Sequence, residues 1–376
     1  MNPRPRRTAV WGALACAALL CLALRTASAT GAEDTAAPQV RIAVFPIENL
    51  TGAPAPVKEL RAEVMAGLSS RGVQMVDEEA LQRFFAKHRV RWAGGIDGDL
   101  GRALVEETGA SHALVTIFDV YGEGEPPRFG FTMRLVSTET EQVRVAWAAG
   151  PALAGNERPG VLDLGLVRDV SVLALRAVDE ACGELQTYLA GSGSSPSRAA
   201  PRAQRRFRPR VFHAAPEASL AERANLRIAV MPFANESPRS RAGEILAHRF
   251  VGALARAGFT NVAEPGDVRR VLIETRLIQK DGLAYAQAEL LRDLLDVDLV
   301  LTGAVFRLVE PVDYEGYPVV DFTLTAIDTR RRQVGWVAFS RATGRTGVRF
   351  FGLKGIRTAG RLSDELIRGV IREAAR

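Results

Sequence analysis

Histidine is the side chain best suited to moving protons or holding a metal near neutral pH, and the chain has four: His88, His112, His213 and His248. None stands one helical turn from another, so the paired-histidine helix of a zinc hydrolase is excluded. Gly191-Ser192-Gly193-Ser194 has the letters of a nucleophile elbow. It lies in a Ser- and Pro-rich stretch, however, and not at a strand-to-helix turn. No glycine-rich loop followed by Lys-Ser or Lys-Thr is present, so nucleotide hydrolysis has no cradle. In Gly94-Gly95-Ile96-Asp97-Gly98-Asp99, two carboxylates beside glycines could fold round a cation. A helix–loop–helix calcium site also needs a later bidentate Glu, and none is in register. An Asp just before a helix more simply caps its free amides, and Asp281, between Lys280 and Gly282, holds the comparable place later in the chain. Glu274 is one further carboxylate candidate, equally explained by a solvent-facing helical position. The expected catalytic, metal and cofactor residues are therefore none.

Binding chemistry is better represented. Phe350 and Phe351 are adjacent aromatics in a Gly- and Arg-rich loop, where both are hard to bury, and they are expected at an interface. Trp336 falls in a strand and is expected in the core, while Trp92 and Trp147 are open to either role. Arg198, Arg202, Arg205, Arg206, Arg208 and Arg210 make residues 191–224 the most basic stretch. Arg205, Arg206 and Arg208 are expected to belong to a solvated linker, the alternative being an interface that weakly touches an anionic surface. A formal net charge of +6 spread over 376 residues is too diffuse to indicate nucleic acid.

The elements that must position these residues come in two sets. Arg41-Ile42-Ala43-Val44-Phe45-Pro46 returns as Arg227-Ile228-Ala229-Val230-Met231-Pro232, and Asn49 as Asn235. The same spacing carries Leu68 to Leu254, Gly72 to Gly258, His112 to Asp298 and Ala113-Leu114-Val115-Thr116 to Leu299-Val300-Leu301-Thr302. After a short insertion Phe131-Thr132 matches Phe322-Thr323, and Gln142-Val143 matches Gln333-Val334. The expected organisation is one domain over 39–190, a flexible basic linker over 191–224 and a second domain over 225–376.

Within the second copy, residues 226–233 form an apolar run suited to a buried strand. Leu246, Phe250, Leu254 and Ala257 follow at helical spacing up to Gly258, then a short strand over 259–263, then a helix opened by Pro265. A further helix carries Gln287, Leu290, Leu291 and Leu294. Strands over 298–308, 317–328 and 333–342 and a closing helix with Leu362, Leu366, Ile367, Val370 and Ile371 on one face complete the unit. The order βαβααβββα predicts an α/β fold of α+β character, each domain a mixed sheet with helices packed on it. In the first copy Leu175, Val178, Cys182, Leu185 and Leu189 form the matching stripe.

The N-terminus carries Arg4, Arg6 and Arg7, an apolar stretch from Ala9 to Leu24, and Ala27-Ser28-Ala29. This is the pattern of a secretory signal peptide over 1–29, the alternatives being an uncleaved anchor or lipidation at Cys16 or Cys21. Cleavage would leave Cys182 as the sole cysteine, with no intrachain disulfide.

The strand Arg227-Ile228-Ala229-Val230-Met231-Pro232-Phe233 with Asn235 resembles the opening of the CsgG-like family of bacterial envelope proteins. So do Val268-Arg269-Arg270-Val271-Leu272-Ile273-Glu274, Asp298-Leu299-Val300-Leu301-Thr302-Gly303 and Leu324-Thr325-Ala326-Ile327-Asp328-Thr329 with Gln333-Val334-Gly335-Trp336. Relatives of that family include the curli-secretion lipoprotein, the penicillin-binding-protein activator LpoB, the flagellar FlgO proteins and the N-terminal domain of TolB. The resemblance implies a periplasmic or outer-membrane-associated module that binds protein partners, often as an oligomer. The meander turns are too short to add the hairpins of a secretion pore. Two further readings stay open: a periplasmic enzyme or regulator of cell-wall polymer synthesis, and a homo-oligomeric ring scaffold of a secretion or flagellar assembly.

Overall fold

Buried β-branched runs set the first sheet of the computed structural model, which describes residues 40–138, 142–157, 166–191, 205–215, 226–277, 283–346 and 355–376. β1 (Arg41–Val44) lies between β3 (Gln74–Met75) and β4 (His112–Gly122), parallel to both. β5 (Arg128–Ser137), β6 (Arg144–Ala149) and β7 (Ala152–Ala154) extend it antiparallel, and β2 (Glu48–Asn49) adds to β4. One face is covered by α1 (Val57–Ser69) and α4 (Val170–Leu189), the other in part by α2 (Glu78–Lys87) and α3 (Gly98–Thr108). The signal segment 1–29, Phe350, Phe351 and Asp281 lie outside the described residues.

The second copy repeats this plan. β9 (Ile228–Val230) is parallel to β11 (Leu299–Val309), which runs antiparallel to β12 (Val319–Asp328), and β12 to β13 (Gln333–Thr343). β10 (Ala234–Asn235) adds to β11. α5 (Ala242–Arg256) and α8 (Ala359–Ala374) take the places of α1 and α4; α6 (Pro265–Glu274) and α7 (Tyr285–Leu295) those of α2 and α3. The α+β fold of two similar units is thus observed. The strand expected over 259–263 shrinks to two isolated bridges, Val262 parallel to Ile228 and Ala263 antiparallel to Arg144 of the first sheet.

Local details confirm the repeat and correct its register. The Asn49 side chain accepts from Thr51 N and donates to Ala53 O, while Asn235 accepts from Ser237 N and donates to Arg239 O, forming the same turn twice. Arg41 N donates to Ser111 Oγ and Arg227 N to Asp298 Oδ2. The structural counterpart of Asp298 is therefore Ser111, not His112. Trp147 faces Leu135 as Trp336 faces Ala326, so Gln333 corresponds to Arg144 and not to Gln142. Length differences of one residue before β4 and β11 and of two residues before β6 and β13 move the register without disturbing the alternation that fixes each face.

Trp336 is buried, as expected, and so is Trp147. Cys182 is buried as well, and desolvation pushes its thiol up to about 11, leaving it protonated and inert. Leu175, placed on the same stripe by sequence, instead points outward; Val170, Leu173, Ala174, Ala177 and Ala181 fill the buried face with Cys182. In α7 likewise Ala288, Leu291 and Leu295 are buried, while Leu290 and Leu294 are exposed.

Part of the stretch expected to be a flexible linker is built into the second copy. β8 (Val211–Ala214) pairs antiparallel with β13, and Phe212 stacks on Trp336 at 5.8 Å. In the 3-10 turn Arg205–Phe207 the Phe207 ring is fully buried. Gly369 of α8 admits this turn, since a Cβ there would lie 2.2 Å from Phe207 O. A buried aromatic outweighs the polar composition around it. Phe207→Ala should cost about 3–5 kcal/mol of unfolding free energy; urea denaturation showing no loss would mean that the turn does not hold the fold.

Candidate functional site at the junction of the two copies

α5 is buried along nearly its whole length because it packs on both sheets: its own β11 side and the outer face of β5 and β6. Small residues make this possible. A Cβ on Gly252 would lie 3.5 Å from Thr132 and 3.6 Å from Ala148, while one on Gly243 would sit 1.9 Å from Phe233 O. Ala247, Ala253 and Ala255 continue the narrow surface.

In the alternation of β5, Phe131, Met133 and Leu135 face α1 and α4, which turns Arg134 to the opposite side. There α5 closes over it. The fully buried guanidinium donates to Gly94 O at 2.9 Å, Glu264 Oε1 at 3.0 Å and His248 Nδ1 at 3.1 Å. His248 must accept through Nδ1, and burial with the charges of Arg134 and Arg241 holds its pKa well below the usual 6.5. The imidazole is neutral. Glu264 precedes α6, and burial raises its carboxyl while Arg134 opposes the rise.

The glycine-rich motif of the first copy serves this contact. Asp97 accepts from Leu100 N at 2.9 Å and so caps α3, as the sequence indicated. The glycines do something the sequence reading missed: a Cβ on Gly95 would lie 2.8 Å from Glu264 Oε1, and one on Gly266 2.3 Å from Ile96 O. Gly98 N donates to Asp267 Oδ1 at 3.0 Å. Among the described residues no cluster of three His, Cys, Asp or Glu could hold a metal ion.

A second polar cluster lies further along α5. Arg249, almost fully buried, donates through Nε to Asp119 Oδ2 at 2.6 Å and through Nη1 to Asp364 Oδ2 at 3.1 Å. These two carboxylates hold its pKa above the usual guanidinium value against burial. Asp119 is the bulged residue of β4, which aims its side chain at α5. Beyond it the junction opens into a groove of about 470 Å³. Gly150, Pro151 and Glu157 line one wall, Glu180 and Glu184 of α4 another, and Arg256, Arg361, Glu365 and Arg368 the third. Arg361 pairs with Glu157, Arg368 with Glu365 at 2.6 Å and Arg256 with Asp364 at 3.6 Å. Partial desolvation and the charge of Glu180 raise the Glu184 carboxyl, with Arg256 opposing.

The residues singled out by sequence stand mostly elsewhere. Arg206 lies over the ring of its neighbour Phe207 at 4.8 Å within the turn, and Arg208 pairs with Glu373 of α8 at 3.3 Å, tying the turn to the second copy. Arg205 is in the turn itself. Trp92 lies under Arg269 at 4.8 Å beside a smaller pocket of about 350 Å³. Glu274 faces solvent, paired with Arg270 at 3.1 Å. Among the described residues no helix is long and apolar enough to cross a membrane.

Removing one buried charge leaves the other unpaired. Arg134→Leu should therefore cost about 3–5 kcal/mol, and adding Glu264→Leu should recover part of the loss. Equal or greater damage in the double variant, read by urea denaturation, would show that the pair is not coupled. His248 carries its own signature. Its folded pKa is depressed, so below about pH 6.5 the unfolded chain takes up a proton that the folded chain does not, and stability falls with acidification by up to about 1.4 kcal/mol per pH unit. His248→Gln should flatten the difference between pH 7.5 and pH 5.5; an unchanged slope would contradict this burial.

No protein-family model and no curated protein matches the sequence. Among solved structures, the PelC dodecamer from Paraburkholderia phytofirmans is similar at 20% identity and TM-score 0.31, over 44% of this chain and 95% of that one. Lipoprotein GNA1162 from Neisseria meningitidis is similar at 16% identity and TM-score 0.28, over 38% and 99%. The LpoB C-terminal domain from Salmonella enterica follows at 15% and 0.26, over 31% and 82%. Each spans most of its own chain but less than half of this one, so the likeness is to part of a fold, and no activity follows from it.

Proposed function

We propose that this chain is an exported, non-catalytic protein of the bacterial envelope, in which two CsgG-like units form a binding and assembly module. It would work in the periplasm or at the inner face of the outer membrane. The N-terminal basic start, apolar run and Ala27-Ser28-Ala29 support export. The observation that carries the binding reading is the use made of the buried charges. Arg134 with Glu264, and Arg249 with Asp119 and Asp364, neutralise one another across the copies and hold a fixed frame. What such a frame offers a partner is surface: the charged groove and the sheet and helix faces around it. The two units would thus act as one composite body.

A second reading, an enzyme or regulator acting on cell-wall polymers, is favoured by one observation: Glu180 and Glu184 stand one helical turn apart on the groove wall, with the Glu184 carboxyl raised. The two readings separate in one experiment. Crosslinking in intact cells, purification and mass spectrometry should recover envelope proteins, and Arg361→Glu with Arg368→Glu in the groove should deplete them at least several-fold. Recovery at background would contradict the binding module. Cell-wall hydrolysis by the purified chain that is lost in Glu184→Gln would favour the enzyme.

A further inference from the structure

The contact between the copies is head to tail: helices of the second copy cover the outer sheet face of the first. A contact of that kind uses two different surfaces, and each copy carries both. Inside the chain one sheet face and one helix face are consumed. Among the described residues, the corresponding sheet face of the second copy and helix face of the first remain open.

The structural register identifies them residue by residue. On the covered sheet, Ile117, Asp119, Thr132, Arg134 and Ala148 are all buried. Their counterparts on the second sheet, from the strand pairing, are Ala304, Phe306, Thr323, Thr325 and Val337. None of these is buried; Phe306 is 40% and Val337 36% exposed. Phe306 occupies the same bulge as Asp119, since both pairings slip at that point. On the covering helices, His248, Gly252 and Asp364 correspond to Ala62, Ala66 and Leu175. The α1–α5 match rests on the shared end of these helices, where Val73 N bonds Leu68 O as Phe259 N bonds Leu254 O. The α4–α8 match rests on their caps, Asp169 and Thr358. Ala62 and Ala66 are exposed, and Leu175 is 47% and the adjoining Val172 37% exposed.

The two open faces complement each other where the internal contact does, with different chemistry. The Asp119–Arg249–Asp364 ion cluster becomes Phe306 opposite Leu175. Arg134 with Glu264 becomes Thr325 with Asp77, the residue that caps α2 as Glu264 precedes α6. Gly252 over Thr132 and Ala148 becomes Ala66 over Thr323 and Val337. Arg249 itself corresponds to Glu63, and the exposed Arg307 beside Phe306 supplies the opposite charge.

We propose that the open sheet face of the second copy binds the α1–α4 face of another molecule of this chain, so that molecules join head to tail and continue the internal stacking into a ring or filament. The geometry carries this whether or not the chain is an envelope module. The apolar exchange also explains why large hydrophobic residues stand exposed at these two places.

The test uses the full chain and two surface variants, Phe306→Arg and Leu175→Arg, each required to keep wild-type circular dichroism. By light scattering after size exclusion, wild type should run at a multiple of the single-chain mass that rises with concentration. Each variant alone should fall to the single-chain mass. Mixed in equal amounts they should give twice that mass and no more, because each keeps the surface the other has lost. Wild type at the single-chain mass at every concentration, variants that still assemble, or a mixture that stays monomeric would each overturn the proposal.

Discussion

A guanidinium cannot lose its charge at any ordinary pH, so a fully buried arginine obliges the structure around it to supply acceptors. Arg134 imposes that condition here. It projects from the centre of the first sheet, and its acceptors come from a loop of the first copy, Gly94 O, and from two elements of the second, Glu264 and His248. Separating the copies would return Arg134 to water but leave the apolar faces of α5 and β6 exposed. Keeping them together requires Glu264 to remain ionised and His248 to remain neutral. The placement of α5, the close approach of Gly95 to Glu264 and the entry of α6 follow from that one requirement.

The remainder of the junction repeats the principle with other residues. Arg249 is held by one carboxylate from each copy, Asp119 and Asp364. Glu310 accepts from Ala359 N at the start of α8, where a negative charge also meets the helix dipole, and burial raises its carboxyl. The apolar part of the contact is made of small side chains, which bring α5 near the sheet and shorten the distance over which the charges must act. Hydrophobic burial supplies the attraction, and the ion pairs fix the register in which it is used.

Much of the fold was legible in the sequence, because periodicity reports which side of an element faces a core. The order of strands and helices, the cap at Asp97, the helix opened by Pro265, the burial of Trp336 and Cys182 and the duplication all follow from local pattern. The junction was not legible for the same reason. In Phe131-Thr132-Met133-Arg134-Leu135, Arg134 falls on the polar face of an alternating strand, and one unit alone would leave that face in water. Only the second copy makes it interior. Leu175 is the converse, an apolar residue on a helix face that the described residues leave open. The basic composition around Phe207 hid a single buried ring, and composition averages over the residue that decides. A usable signal did exist: Arg134 stands between Met133 and Leu135 where the repeat has Thr325.

Arg134 and its partners fuse two similar units into one cooperative body. Scanning calorimetry of the full chain tests it directly. The structure predicts one unfolding transition whose calorimetric and van't Hoff enthalpies agree. Two resolved transitions of comparable enthalpy, each matching a single unit, would contradict it.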